Sequence, residues 1–305
     1  MTSTLPEHLF ENLGDIRDKY KDNPSLQNFA LSRTYPRKFS TNALVNAPSY
    51  EEDTDFKFNT NFDAAVVVIR HLYSMVNGSD LRNEQMDKEE KSHPILRFIW
   101  ADFEDTSDAS ITAQAVIRYE MQALDDPDGR LTVFALLERP AMWNGLWVRK
   151  AFQLYHSNAL GRPQGTDEWN VMEHHPSITQ KSLVKWNGAQ PLGDHISSLF
   201  LQRVHKDTGA RLLLMFNDPA IIRVRYQHTA RDQTPATYEH LRQIYVNPHR
   251  LKNEKQNGCS VLVKATPDER IPYTLIGKRS FPEYVLWLTI KYEGKRSLRI
   301  YNGDP

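Results

Sequence analysis

A single cysteine, Cys259, stands among 305 residues. An intrachain disulfide framework is excluded, and a reducing compartment, cytoplasm or nucleus, is the expected location. No apolar run reaches the roughly 18 residues that a membrane span needs. The N-terminal MTSTLPEHLFENLGD has no basic region followed by an apolar core, so no secretory signal is expected. Also missing are GxGxxG, Walker A, GxSxG, HExxH and the kinase motif set. Each of these positions a phosphate, a nucleophile or a metal, so familiar nucleotide enzymes and serine hydrolases are disfavoured.

What is present is ordinary in bulk and uneven in detail. Hydrophobic residues make up 40% and charged residues 25%, values typical of a globular chain. The formal net charge is zero, yet residues 181–305 hold 20 Lys and Arg against 11 Asp and Glu, leaving 18 against 27 in residues 1–180. A basic half of this kind either complements the acidic half within the fold or offers a surface to an acidic partner.

The patterning predicts an α+β protein, predominantly antiparallel sheet with a few packed helices. Residues 1–60, rich in Asn, Ser, Thr, Pro and charge, read as an N-terminal arm, partly extended or disordered. Residues 61–160 read as a helix plus an antiparallel meander. Phe62, Val66, Ile69, Tyr73 and Val76 recur at helical spacing, which predicts a helix over 62–76. The stretch 111–122, ITAQAVIRYEMQ, alternates apolar and polar residues, which predicts a strand. With strands expected from Ile95 and in LTVFALLER, it forms the meander 95–138. Further helices are expected at 147–156 and 194–204. Residues 161–193 read as a loop-rich connector. Residues 194–305 read as a basic β-rich region, possibly continuous with 61–160, in which 210–216 and 220–226 pair as a hairpin and further hairpins close the C-terminus.

Two groups of residues stand out as candidate sites. The first is the EWNVMEHHPS stretch, where Trp169, Glu173, His174 and His175 gather in the connector. Adjacent histidines on a strand point to opposite faces, and no metal-ligand spacing accompanies them. No metal, cofactor or catalytic residue is assigned, and the stretch is expected to be a partner-recognition loop. The second group is basic: Arg223, Arg225, Tyr226, Arg250, Lys278 and Arg279. Arginines beside aromatics on strands suit phosphates and bases, and equally suit an acidic protein partner or a solvated sheet face. Cys259 shares a strand face with Val261 and Val263, where a lone thiol is ordinarily packing.

Asn12-Leu13-Gly14, Ser25-Leu26-Gln27 and Tyr273-Thr274-Leu275-Ile276 resemble pieces of the ubiquitin-specific peptidase pattern. In that family a Cys follows the first element closely and a Gly-His-Tyr element follows the late strand. Here Ile16 and Arg17 stand where the Cys would be sought, and no Gly-His-Tyr occurs. The resemblance, limited to a few tripeptides, implies an inactive relative.

The expected function is that of a non-catalytic intracellular protein-interaction or scaffold subunit of a larger assembly, with protein partners and no membrane. The long loops bearing Trp143, Trp147, Trp169 and Trp186 suit partner binding. The alternatives are a nucleic-acid-binding protein using the basic half, and a metal-dependent enzyme or degenerate peptidase-like fold.

Overall fold

The computed structural model describes residues 7–34, 60–76, 88–90, 93–125, 132–173, 181–204, 206, 208–226, 241–253, 260–263, 269–280 and 285–291. The chain is of the α+β class. It divides into two compact units, Met1–Arg149 and Lys150–Pro305.

Among its described residues the first unit is helical. Its elements include α1 (Glu7–Glu11), α2 (Ile16–Lys19), α3 (Pro24–Arg33), α4 (Thr60–Met75), α5 (Pro94–Phe98), α6 (Asp108–Asp125) and α7 (Val133–Leu137), followed by a single turn at Pro140–Met142. The expected helix is α4, and the predicted apolar stripe of Phe62, Val66, Ile69, Tyr73 and Val76 is buried, widened by Ala65 and Leu72. The expected arm is helical over α1 to α3, where Asp15 and Asn23 cap α2 and α3 and Pro24 takes the first turn of α3.

The meander at 95–138 is corrected to helices α5, α6 and α7. Each has a side-chain cap at its start. His93 Nδ1 accepts from Leu96 N–H at 3.4 Å, Ser107 Oγ from Ser110 N–H at 3.3 Å, and Thr132 Oγ1 from Ala135 N–H at 3.1 Å. In α6 the alternation is incidental. Ala113, Gln114, Ala115, Val116, Ile117 and Arg118 are all buried, as in a helix enclosed on most sides.

The helix expected at 147–156 is also corrected. A π-helical turn covers Trp143–Trp147, a 3-10 turn covers Lys150–Phe152, and a strand begins at Tyr155. Tryptophan packing sets this path: Trp147 Nε1 donates to Leu137 O at 2.7 Å and Trp143 Nε1 to Glu138 O at 3.0 Å.

The second unit holds two sheets. Strands β1 (Tyr155–Arg162), β2 (Asn170–Glu173), β4 (Arg203–Val204), β5 (Arg211–Phe216), β8 (Arg250–Asn253) and β9 (Ser260–Val263) form one, ordered β2-β1-β5-β8-β9 with β4 beside β5. Strands β3 (Leu183–Trp186), β6 (Ile221–Tyr226), β7 (Gln243–Val246), β10 (Ile271–Ser280) and β11 (Val285–Lys291) form the other, ordered β3-β6-β11-β10-β7. The expected connector 161–193 thus supplies β2 and β3, and helix α8 (Leu192–Ser198) is shorter than the 194–204 expected.

The hairpin expected from 210–216 and 220–226 is corrected: both strands exist as β5 and β6, but in different sheets. The turn between them redirects the chain. Asp218 adopts φ 51° before Pro219, Asn217 Nδ2 donates to Gln153 O at 3.1 Å, and buried Tyr273 donates to Pro219 O at 2.9 Å. Of the expected C-terminal hairpins, β10 and β11 pair antiparallel, while 297–301 lies outside the described residues. Leu192, Ile196 and Phe200 pack on Val184, Trp186, Val224, Tyr226, Ile244 and Tyr273 to make this unit's core.

Candidate interaction site

β2 ends its sheet. Among the described residues its strand partner is β1, in unbroken antiparallel register from Asn158↔Glu173 to Gly161↔Asn170. A terminal strand carries a row of backbone donors and acceptors open to a further strand. Edges are ordinarily blunted by shortness, charge, Pro or a bulge; β2 is short, with four residues, and ends in Glu173, and it has no Pro, Lys or bulge.

The same edge is apolar. Val171 is 67% exposed, Met172 50% and Trp169, just ahead of the strand, 36%. Gly161 on β1 matters here, because Met172 Sδ fills the space that a Cβ at Gly161 would take. Arg162 braces the tip of the hairpin: its guanidinium lies 5.8 Å from the Trp169 ring centroid and 3.4 Å from the Asp167 carboxylate. Arg162 also stands opposite Arg211 in the register, so Asp167 and the indole face offset a like-charge pair.

Of the expected recognition loop, Trp169 precedes β2 and Glu173 is its last residue, while His174 and His175 lie outside the described residues. Among the described residues no group of three or more His, Cys, Asp or Glu gathers as a metal site. Val171 and Met172 were not singled out from the sequence. Their signal was two apolar residues inside a polar stretch.

The structure divides the basic group. Arg223 and Arg225 share a face of β6, and register carries that face through Lys185 on β3 and, by way of Leu286, to Arg279 on β10. Tyr226 lies on the opposite, core-facing side, its ring tilted against Trp186 with centroids 4.9 Å apart, and position 278 falls on that side by register. Arg250 belongs to the other sheet. Arg223 is 1% exposed, so it is an interior residue. Cys259 lies outside the described residues.

In the first unit, the place where a peptidase nucleophile would be sought holds an ion cluster. Ile16 is buried. Arg17 donates to Asp15 through Nε at 3.0 Å, to Glu90 at 3.0 Å, and lies 4.7 Å from the Trp100 ring centroid. Glu90, 1% exposed, also accepts from Trp100 Nε1 at 2.7 Å and from Arg149 at 3.3 Å. Arg70, fully buried in α4, donates to Ala30 O at 3.1 Å, Thr34 Oγ1 at 2.6 Å, Ala101 O at 3.1 Å and to Ile99 O. Ala30 O, near the C-terminal end of α3, also accepts from the Thr34 N–H and hydroxyl, while Ile99 and Ala101 follow α5, so Arg70 ties the ends of these two helices together. Arg118 pairs with Asp63; burial raises the Asp63 pKa against the pull of that cation.

No helix among the described residues is long and apolar enough to cross a membrane. No family model and no curated protein matches the chain. Among solved structures, a chain of the "Structure of the Ubp8-Sgf11-Sgf73-Sus1 SAGA DUB module" aligns with TM-score 0.34 and 10% identity, over 91% of this chain and 73% of that one. Similarity at that level establishes neither fold nor function.

Proposed function

We propose that this chain is a non-catalytic protein-interaction subunit that engages its partner through the β2 edge. The observation that carries the reading is the coincidence of an open strand edge with exposed Trp169, Val171 and Met172. Strand addition supplies affinity through main-chain hydrogen bonds and specificity through alternate side chains. The Arg17–Asp15–Glu90 cluster supports the non-catalytic part, because it fills with paired charge the position the peptidase resemblance points to. The single cysteine supports action in the cytoplasm or nucleus.

Purification from the native source tests the reading with wild type beside Val171→Lys. Val171 is exposed, so the substitution leaves the melting temperature unchanged. The expected result is a stoichiometric protein partner that wild type retains and the variant loses. Equal recovery by both overturns the role of β2.

A second reading rests on the row Lys185, Arg225 and Arg279, which register places on one sheet face. That row would serve an anionic partner such as nucleic acid. Binding to generic RNA or DNA that weakens steeply with salt is its expected signature, and no binding at low salt removes it.

A further inference from the structure

The β2 edge has a charge as well as a shape. From Pro163 to Gln180 the chain holds Asp167, Glu168 and Glu173 and no Lys or Arg, although it adjoins the basic half. Glu168 and Asp167, the latter paired with Arg162, are exposed ahead of the strand, Glu173 is its last residue, and Trp169, Val171 and Met172 lie between them. The order along the edge is therefore acid, apolar, acid.

We infer that the partner's contribution is an extended segment with apolar residues at alternate positions and Lys or Arg at its ends, paired as an added strand on β2. This inference rests on the proposed function and names the chemistry of its partner. Charge complementarity selects this occupant. A second copy of the chain paired antiparallel on β2 would set its own acidic positions at either end against those of the first, a repulsion that opposes self-pairing at this edge. An acidic strand would meet the same repulsion.

The test uses the full chain and three labelled peptides in fluorescence anisotropy. The first is Lys-Val-Thr-Val-Thr-Val-Lys, the second replaces both lysines by glutamates, and the third is the first with alternate backbone amides methylated. Binding of the basic peptide roughly tenfold tighter than the acidic one supports the inference, as does loss of binding on backbone methylation. Glu168→Gln weakens the basic peptide while leaving the melting temperature unchanged, and Val171→Lys abolishes its binding. Equal affinity for the two charge types overturns the partner chemistry. Undiminished binding of the methylated peptide overturns strand addition. Concentration-dependent dimerisation lost in Val171→Lys assigns the edge to a second copy and overturns the inference. If the peptides fail while Val171→Lys still sheds the natural partner, the inference falls and the proposed function stands; if that partner is also retained, both fall.

Discussion

At the residue scale, Glu90 has the most at stake in the first unit. A carboxylate at 1% exposure needs partners to stay charged, and two guanidiniums and an indole N–H converge on it. Removing its charge leaves Arg149, itself fully buried, without that counter-ion. Breaking a buried pair from one side ordinarily costs several kcal/mol. Glu90→Gln is therefore expected to destabilise by about 3 kcal/mol in urea unfolding, and Asp15→Asn, at a position 30% exposed, by much less.

His71 sets a pH dependence. Burial, assisted by the Arg33 charge, holds its imidazole below the ordinary 6.5. Between the folded and unfolded values the unfolded chain binds more protons, so stability falls as pH falls through 6.5. The melting temperature is expected to drop on acidification through that range, and to drop less in His71→Gln. Asp63 works in the opposite sense at lower pH. Its raised folded value makes the native state the tighter proton binder, so stability rises as pH falls toward 3.8.

At the scale of elements, the contact of α8 with β7 is set by a missing side chain. A Cβ on Gly193 would overlap the backbone carbonyl oxygen of Tyr245, which cannot swing aside as a side-chain tip can. Ser197 adds a bridge, donating to Gly193 O at 2.6 Å and accepting from Asn247 N–H at 2.8 Å. Gly193→Ala is expected to cost about 1–3 kcal/mol by overpacking, read as a shift of the urea midpoint at constant slope.

Element type was legible where one period dominated. The stripe on α4 was legible for that reason, and β5, β6, β10 and β11 were visible as runs of branched and aromatic residues. In α6 a period of two arose because Ala and Gln alternate over 113–115, while the buried surface extends round the helix and erases its own period. The strong helix formers Ala113, Gln114, Ala115 and Met121, and the cap at Ser107, were the better signals. Pairing was less legible than existence. Nothing local distinguishes the turn at 217–219 from a hairpin, because the Asn217 and Tyr273 contacts that redirect it come from residues far away in the chain.

At the scale of the whole molecule, net charge was a poor guide to the site. The +9 half suggested a basic surface, yet Arg223 is interior, and Tyr226, Lys278 and Arg250 lie on a different face or sheet from Arg225. The candidate edge is a local acidic and apolar segment at the border of the two halves. Trp169 and Glu173 were read from the sequence as recognition residues. The open edge was not, because it depends on which strand ends the sheet.

Amide hydrogen exchange on the chain bound to its co-purified partner tests that edge most directly. An added strand is expected to slow exchange within Asn170–Glu173, with little change in α4 and α6 of the first unit. Unchanged exchange at β2, with protection appearing elsewhere, would contradict the account.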